Sequence, residues 1–374
     1  MEPPLPLSLY FHIPFCTTKC PYCHFYVVPN RKMYHDLLFK AFVDHFALLK
    51  SEMRGRPTAS IYFGGGTPSL FTRFEELFQS IDLDTSQEIT LEVNPEEASL
   101  DLFSKLRSLG INRLSIGVQS LEDSSLQILG RNHSSKKAIE AIVDAEKAGF
   151  KNISIDLMYD VPSQTKESWI STLHQIQDLP IQHISLYNLT VEPHTVFYKK
   201  QVKLPDSEDS LFFLMKALET FEQLGFRRYE LSAFAKKGYE SVHNLGYWTA
   251  REFLGLGPSA FSYFQKRRFQ NVCNIHRYAR SLKEGKLPTS FEEKLSFPSD
   301  IKELFAIHLR VQEGVCLDQF PYPDREILNR LIDQNLLKQT NRKIQLTDQG
   351  MLFYDTVASE IIDLPQPQSP SRRI

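Results

Sequence analysis

Short apolar runs and helical apolar patterns alternate through the first half of the chain. Runs rich in β-branched and aromatic residues predict strands at 7–13, 61–63, 88–93, 113–118, 153–158 and 183–189. Helical apolar spacing between these runs predicts helices at 33–53, 71–78, 100–109, 136–148 and 166–176. Repeated strand–helix units predict an α/β fold with a parallel sheet, wound as an open sheet or as a barrel.

Polar residues, a cysteine and a glycine occur at or just after the ends of the predicted strands. Six of them occur at successive strand ends: Cys16, Gly65, Glu92, Gln119, Asp156 and Thr190. Ligand sites in parallel strand–helix folds form at the carboxyl ends of the strands. A polar residue at any one such end is as often the simple start of a loop. Because six such residues occur at successive strand ends, we predict that they line one site at this end of the strands.

The pattern changes after residue 204. A long helix is predicted at 207–224, followed by an aromatic, glycine-bearing stretch at 226–269. Helices at 301–309 and 327–335 and a hairpin at 336–346 predict a small winged-helix-like unit. We therefore divide the chain into domains at 1–204 and 297–363, a connecting region at 205–296, and a Pro- and Ser-rich tail at 364–374 that we predict to be disordered.

Composition narrows the class of protein. The 374 residues are enough for a large and a small domain, and the net charge of −2 gives no general basic field. The winged-helix-like unit has no dense stripe of Lys and Arg, so we expect no nucleic-acid partner. No run approaches the roughly 18 apolar residues of a membrane span, and no secretory pattern opens the sequence. We expect a cytoplasmic protein.

Three of the five cysteines, Cys16, Cys20 and Cys23, lie in one turn-rich loop after the first predicted strand. The number of cysteines is odd and three of them are clustered, which favours metal ligation over a disulfide framework. Three thiolates at this spacing can hold three irons of a [4Fe-4S] cluster and leave the fourth iron open. A zinc site of three cysteines completed by His24 or His12 is the alternative.

The sequence around these cysteines, Tyr10-x-His-Ile-Pro-Phe-Cys-x3-Cys-x-Tyr-Cys, resembles the radical S-adenosylmethionine (radical SAM) superfamily. The similarity is to its branch like the oxygen-independent coproporphyrinogen III oxidases, and it runs over nearly the whole chain. The resemblance implies a partial (β/α)6 TIM-like barrel. It also implies a [4Fe-4S] cluster whose open iron chelates S-adenosylmethionine, the sulfonium of which is reductively cleaved to a 5'-deoxyadenosyl radical.

The resemblance assigns further residues to S-adenosylmethionine. They are Tyr10, Tyr22, Gly65, Gly66, Thr67, Glu92, Gln119, Arg131, Asp156 and Thr190. In the family's glycine motif, residues without Cβ let the backbone approach the methionyl end of the ligand. A glycine triplet alone is more often a plain turn, and Tyr22 is equally suited to packing its own loop.

Two departures set the chain apart from the decarboxylating enzymes of this branch. Those enzymes have a fourth cysteine where this chain has Phe25, and a long arm where this chain has nine residues before Tyr10. The sequence His243-Asn244-Leu-Gly-Tyr247-Trp248 instead matches the heme motif of the heme-chaperone (HemW-type) subgroup. Imidazole is a common axial ligand of heme, and Tyr and Trp offer flat surfaces, although such a motif is also typical of a capped core corner.

The resemblance thus implies a heme chaperone that binds heme and transfers it to an unidentified acceptor protein. Any membrane contact is expected only through that acceptor. The alternative function is an oxygen-independent coproporphyrinogen III dehydrogenase.

Overall fold

The chain folds as a series of strand–helix units followed by a smaller helical unit. The computed structural model describes residues 5–53, 55–81, 83, 87–320 and 324–362, so the predicted tail at 364–374 lies outside the described residues. The strands are β1 (Leu7–Ile13), β2 (Phe15–Cys16), β3 (Val28–Pro29), β4 (Thr58–Gly65), β5 (Glu88–Val93), β6 (Arg113–Gln119), β7 (Asn152–Tyr159), β8 (His183–Asn188), β9 (Arg227–Glu230), β10 (Ala233–Ala235), β11 (Phe253–Leu256), β12 (Phe261–Phe264), β13 (Arg267–Asn271), β14 (Thr289–Lys294), β15 (Val315–Cys316), β16 (Leu337–Thr340) and β17 (Lys343–Leu346).

The α-helices lie between these strands and after them. They are α1 (Lys32–Met53), α2 (Phe74–Ser80), α3 (Leu100–Ser108), α4 (Asp123–Ile128), α5 (Ser135–Lys147), α6 (Lys166–Ile176), α7 (Val196–Lys199), α8 (Ser207–Gln223), α9 (Val242–Trp248), α10 (Ile275–Lys283), α11 (Ser299–His308), α12 (Arg325–Asp333), α13 (Asp348–Leu352) and α14 (Tyr354–Ile362). None of the helices in the described ranges has both the length and the apolar character needed to cross a bilayer.

Six parallel strands form the centre of a twelve-stranded sheet. They are ordered β1, β4, β5, β6, β7, β8, and each pairs in parallel with the next. Parallel neighbours require crossover connections, which here contain helices such as α1, α3, α5 and α6. The predicted α/β class with a partial (β/α)6 barrel is confirmed. All six carboxyl ends lie at the same edge, where the cysteine loop follows β1.

Strands of the connecting region extend this sheet at both sides. β11 pairs in parallel with β1, and β12 to β14 continue from it in antiparallel order. At the other side β10 and β9 continue from β8. The sequence predicted no strands here, because these strands are only three to six residues long and β14 is exposed at every position.

The main core fills the space between the central strands and the helices that cover them. Its largest fully buried side chains include Phe11, Phe42, Phe63 and Trp169. The Trp169 Nε1–H donates to the Phe213 carbonyl at 2.8 Å, so this buried donor is satisfied. Packing of this kind fixes the strands, and therefore the position of every residue at their carboxyl ends.

The C-terminal unit has a separate apolar core. Helices α11, α12 and α14 and a three-stranded sheet in the order β15, β17, β16 surround residues such as Phe305, Leu331 and Ile344. The two helices and the hairpin predicted for this winged-helix-like unit are present. The sequence did not predict α13, α14 or the two-residue strand β15.

Candidate functional site

The cysteine loop is held at both ends by the short strands β2 and β3, which pair in parallel. Within the loop, the Cys23 N–H donates to the Cys20 carbonyl at 3.1 Å, and Lys19 Nζ donates to the Phe25 carbonyl at 2.9 Å. These contacts fold the loop back on itself. Cys16, Cys20 and Cys23 are free thiols, each partly exposed, beyond the carboxyl end of β1.

The glycine segment after β4 packs directly against the chain in front of Cys16. The N–H of Gly66 donates to the Ile13 carbonyl at 2.9 Å. A Cβ added at Gly66 would lie 2.6 Å from the Phe15 carbonyl oxygen, and one at Gly65, where φ is 125°, would lie 2.8 Å from the His12 ring. We expected these glycines to let a ligand approach. The structure gives an additional reason, which is close packing of two chain segments.

Most of the residues predicted to bind S-adenosylmethionine line one cavity of about 390 Å³ at the carboxyl ends of the strands. They are Tyr22, Gly65, Gly66, Thr67, Glu92, Gln119, Arg131, Asp156 and Thr190, and they share the cavity with Cys16, Cys20 and Cys23. All six strand-end residues therefore line the same cavity. Tyr22 also packs at 6.3 Å from the Phe197 ring, so it serves its loop as well.

Tyr10 is placed differently from the other predicted residues. Its hydroxyl lies 3.0 Å from His12 Nδ1 inside the sheet, and its ring stacks on Tyr62. Tyr10 lines a second cavity, described below, and not the cavity that contains the cysteines. Tyr10 is in the middle of β1, three residues before the end of the strand.

Arg131 joins three parts of the first cavity. Its Nη2 donates to Asn94 Oδ1 at 2.6 Å and to the Gly117 carbonyl at 2.9 Å, and its Nη1 lies 3.6 Å from Cys20 Sγ. Gly117 leaves room for this arrangement, since a Cβ there would lie 3.3 Å from Nη2. Nε is buried without a hydrogen-bond partner in the described part of the chain. The guanidinium therefore brings positive charge to the thiols.

Two carboxylates, Glu92 and Asp156, line the first cavity. Glu92 accepts from the Tyr62 hydroxyl at 2.9 Å and from the Gly65 N–H at 3.0 Å. Burial, together with the charge of Asp156, raises the pKa of Glu92 to about 7. Burial also raises the pKa of Asp156 to about 6. Such carboxylates can accept hydrogen bonds from hydroxyl or ammonium groups of a ligand.

The three thiols can serve as ligands of a [4Fe-4S] cluster. Burial raises the pKa of Cys16 to about 11, opposed by the Thr67 hydroxyl 3.8 Å from its sulfur. In the described ranges, no three His, Cys, Asp or Glu side chains are grouped closely enough to hold one ion. His12 is engaged on both ring nitrogens, by the Tyr10 hydroxyl and the Tyr26 carbonyl. In a [4Fe-4S] cluster each of these thiolates would bind one iron, and the fourth iron would stay open.

A second and larger cavity, of about 640 Å³, adjoins the first. Its lining is rich in aromatic side chains, with Tyr247, Trp248, Phe253 and Phe261 among the residues. We call it the aromatic cavity. His24 and Phe25 line both cavities, so the end of the cysteine loop forms a wall between them. Volume and lining are typical of a site for a largely apolar small molecule.

The predicted heme residues divide into two groups. Tyr247 and Trp248 line the aromatic cavity, whereas His243 is buried behind them with 1% of its surface exposed. The N–H groups of Val242 and His243 donate to Glu88 at 3.0 Å, which fixes the start of α9. The backbone N–H of Asn244 donates to the Ser241 hydroxyl at 3.3 Å, and the structure gives Asn244 no place in the lining.

The His243 ring makes a hydrogen bond at each nitrogen. Nδ1 lies 2.9 Å from the Ser60 hydroxyl and Nε2 lies 2.8 Å from the Tyr247 hydroxyl. Because Ser60 donates to Ser8, Nδ1 is the donor and Nε2 accepts from Tyr247. Burial lowers the pKa of His243 to about 3, so the ring is neutral. This arrangement is that of a capped core corner, in which both ring nitrogens have partners.

The sequence missed several residues of the first cavity. Asn94, Glu96, Ser115, Tyr187 and Asn188 also line it. Asn94 donates from Nδ2 to Thr67 Oγ1 at 2.8 Å while it accepts from Arg131, so it connects the glycine segment to the cation. Asn94 and Asn188 lie at strand ends, and the strand-end criterion could have identified them. Ser115 lies within β6, where the sequence gave no indication.

Comparisons with known proteins define the class. The family model for the Radical SAM superfamily matches residues 10–176. A protein of Lactococcus lactis named heme chaperone HemW is 33% identical over 375 residues, which cover 96% of this chain and 97% of that protein. The heme chaperone HemW of Haemophilus influenzae is 34% identical, with 93% of this chain and 96% of that protein covered.

Among solved structures, coproporphyrinogen III oxidase from Escherichia coli, described as a radical SAM enzyme, matches with a TM-score of 0.83. The match covers 96% of this chain and 91% of that one at 24% identity, and it shows a shared fold. The chain belongs to the family of these relatives named heme chaperone HemW, and its residues 10–176 match the radical SAM superfamily. Membership of the superfamily implies S-adenosylmethionine and a [4Fe-4S] cluster, and the first cavity fits both.

Proposed function

We propose that this protein is a heme chaperone, which binds heme in the aromatic cavity and transfers it to an acceptor protein. The supporting observation is the pair of adjoining cavities. One contains the three cysteines and nearly all residues predicted for S-adenosylmethionine, and the other is lined by Tyr247 and Trp248 of the heme motif. The relatives named heme chaperone HemW cover almost the whole chain, which is the basis for choosing heme as the ligand.

In the first cavity, Cys16, Cys20 and Cys23 would hold a [4Fe-4S] cluster, with S-adenosylmethionine beside it. When bound, the two groups supply the capacity for reductive cleavage of the sulfonium. Arg131 places positive charge 3.6 Å from the Cys20 sulfur, which offsets the negative charge of thiolates. Glu92 and Asp156 offer acceptors for the hydroxyl and ammonium groups of the nucleoside and the methionyl end.

In the aromatic cavity, the Tyr247 and Trp248 rings provide flat apolar surfaces for a macrocycle. His243 is the candidate axial ligand, and its lowered pKa keeps the imidazole neutral and able to bind iron. Its Nε2 accepts from Tyr247, so this hydroxyl must move away before iron binds there. The transfer step and its acceptor belong to this proposal and rest on the family. The cytoplasmic location also belongs to it and rests on the sequence pattern.

A hemin titration tests the heme site. We expect the purified protein to shift the Soret band of hemin, and His243→Ala to weaken that shift. His174→Ala, at an exposed position of α6, is the matched control and should behave like the wild type. A wild-type protein without a shifted band would contradict heme binding, and an unchanged spectrum of His243→Ala would remove this residue as the ligand.

Iron analysis tests the cluster. Protein purified without oxygen should show a broad visible absorbance and about four irons per chain, the content of one [4Fe-4S] cluster. Cys20→Ala should lose most of both. Cys316→Ala changes a cysteine of the C-terminal unit, in β15, and should keep them. Equal iron in the two variants would contradict the assignment.

The alternative, an oxygen-independent coproporphyrinogen III dehydrogenase, is supported by the adjacency of the two cavities. His24 and Phe25 border both cavities, so a substrate in the aromatic cavity would lie next to the cofactor site. Anaerobic incubation with coproporphyrinogen III, S-adenosylmethionine and a reductant distinguishes the two functions. Formation of protoporphyrinogen would contradict a function restricted to carrying heme.

A further inference from the structure

Arg251 is a cation in the wall of the aromatic cavity, three residues after α9. Its Nη1 donates to the Val242 carbonyl at 3.1 Å and to the Ser8 hydroxyl at 3.4 Å, both neutral acceptors. Burial lowers the pKa of Arg251, and the more distant charge of Glu88 opposes this effect. Glu88 itself already accepts from Val242 and His243. Arg251 therefore keeps a charge that no hydrogen-bonded carboxylate in the described ranges neutralises.

A second arginine of the same cavity is neutralised. Arg268 donates from Nη1 to Glu303 and from Nη2 to Glu293, each at 2.6 Å. Both of its terminal nitrogens thus already contact carboxylates. The comparison singles out Arg251 as the cation of this cavity that can accept a carboxylate from a ligand. A partly buried guanidinium gains most when an anion joins it away from bulk water.

The end of α9 is built around this guanidinium. A Cβ added at Gly246, inside the motif, would lie 3.0 Å from Nη1 and 3.2 Å from Cζ of Arg251. The Arg251 N–H also donates to the Gly246 carbonyl at 2.8 Å. Glycine inside a helix costs about 1 kcal/mol relative to alanine. At this position it leaves the space that the Arg251 side chain occupies.

Hydrogen bonds connect Arg251 to the heme motif. The guanidinium donates to Ser8, the Ser60 hydroxyl donates to Ser8 at 2.9 Å, and Ser60 lies 2.9 Å from His243 Nδ1. The cation and the candidate axial ligand therefore belong to one network. A ligand that contacts both would be bound through a carboxylate at one point and through iron at another.

We propose that Arg251 binds a carboxylate of the ligand in the aromatic cavity. The ligand class is a flat, apolar macrocycle with carboxylate side chains, as in heme, and the inference rests on the proposed heme binding. The apolar face packs on the aromatic lining while the guanidinium donates charge-assisted hydrogen bonds to the carboxylate. Arg251 is thus a residue that orients the macrocycle.

Two probes separate this inference from heme binding itself: hemin, with free carboxylates, and its dimethyl ester, in which both are blocked. We expect the wild-type protein to bind hemin about tenfold more tightly than the ester, the scale of one charge-assisted hydrogen bond. Arg251→Gln should bind both with similar affinity. Arg267→Gln is the control. It removes the ion pair that Arg267 of β13 forms with Glu292, and the variant should keep the preference for hemin over the ester.

Gly246→Ala supplies a second variant. Its methyl group would push the Arg251 guanidinium out of position, while the arginine itself and its charge are retained. Thermal unfolding verifies that each variant is folded. Equal binding of both probes by the wild type, or an unchanged preference in Arg251→Gln and Gly246→Ala, would overturn the role of Arg251 and leave heme binding intact. A wild-type protein that binds neither probe would overturn both proposals.

Discussion

The hydroxyl of Tyr247 lies 2.8 Å from Nε2 of His243. The other ring nitrogen is held by Ser60, so the imidazole is fixed from both sides. The two residues are four positions apart on one helix, which places them on the same face. The motif spacing therefore positions a tyrosine directly over the lone pair of its own histidine.

Tyr247→Phe removes this hydroxyl and keeps the aromatic surface. We expect the variant to bind hemin roughly fivefold more tightly than the wild type, since a hydrogen bond of about 1 kcal/mol no longer competes with iron. Absorbance titration of both proteins measures the change. The double variant Tyr247→Phe with His243→Ala should lose the gain. A loss of affinity in Tyr247→Phe alone would show that the hydroxyl contributes to the site.

Glu92 makes the stability of the protein depend on pH. Its pKa rises from 4.5 in the unfolded chain to about 7 in the folded protein, so between these values only the unfolded state releases the proton. The contribution of Glu92 to the unfolding free energy is therefore fully present below about pH 4.5, and it is lost as the pH rises towards 7. The glutamine of Glu92→Gln does not titrate. The unfolding free energy of the variant should therefore gain on the wild type as the pH rises from 5 to 7.

We expect a relative gain of roughly 1–2 kcal/mol over this range. It is less than the full 1.4 kcal/mol per pKa unit, because the carboxyl lines a cavity that admits water. Urea unfolding of both proteins at several pH values measures it. Glu75→Gln, in the first turn of α2, should show no such dependence. Parallel pH curves for wild type and Glu92→Gln would contradict the raised pKa.

The sequence predicted the central strands well because their apolar runs are buried on both sides and bounded by turns. The rule that parallel strands share an edge then brought Cys16, Glu92 and Asp156 together without any knowledge of contacts. β11 could not be predicted, since four residues do not show a period. Its pairing with β1 brings residues after position 250 next to the N-terminal strand.

The heme motif shows the other limit of sequence reasoning. Its residue types fit a heme site and also a packed core corner, and side-chain direction decides between them. In the structure, Tyr247 and Trp248 face the aromatic cavity, while His243 faces Ser60 inside the sheet. Arg251 gave no indication in the sequence, because its importance comes from the neutral acceptors around it.

Arg131→Lys tests the cation of the first cavity. Lysine keeps the charge but cannot contact Asn94, the Gly117 carbonyl and Cys20 together, as the forked guanidinium does. We expect about tenfold weaker binding of S-adenosylmethionine, the scale of one or two charge-assisted hydrogen bonds. Anaerobic equilibrium dialysis of cluster-loaded protein measures it. Arg277→Lys, at an exposed position of α10, is the control. Equal affinity in Arg131→Lys would show that charge alone suffices.

Arg310 connects the C-terminal unit to the aromatic cavity. Its guanidinium lies over the Trp248 ring at 4.2 Å and over the Tyr354 ring at 5.1 Å. Its Nη2 is 3.7 Å from a carboxylate oxygen of Glu230, a residue with 3% of its surface exposed. Burial raises the pKa of Glu230, and the charge of Arg310 opposes that rise. One side chain thus holds Trp248 and balances a buried acid.

Arg310→Met should lower the unfolding free energy by about 2–3 kcal/mol, because it leaves Glu230 buried without its cation and removes two ring contacts. Adding Glu230→Gln should restore part of this loss, which a double-mutant cycle in urea measures. Arg330→Met breaks an exposed pair with Glu360 in the same unit and should cost less than about 1 kcal/mol. Trp248 fluorescence should change in Arg310→Met only. Additive losses in the cycle would mean that Arg310 acts through Trp248 and Tyr354 alone.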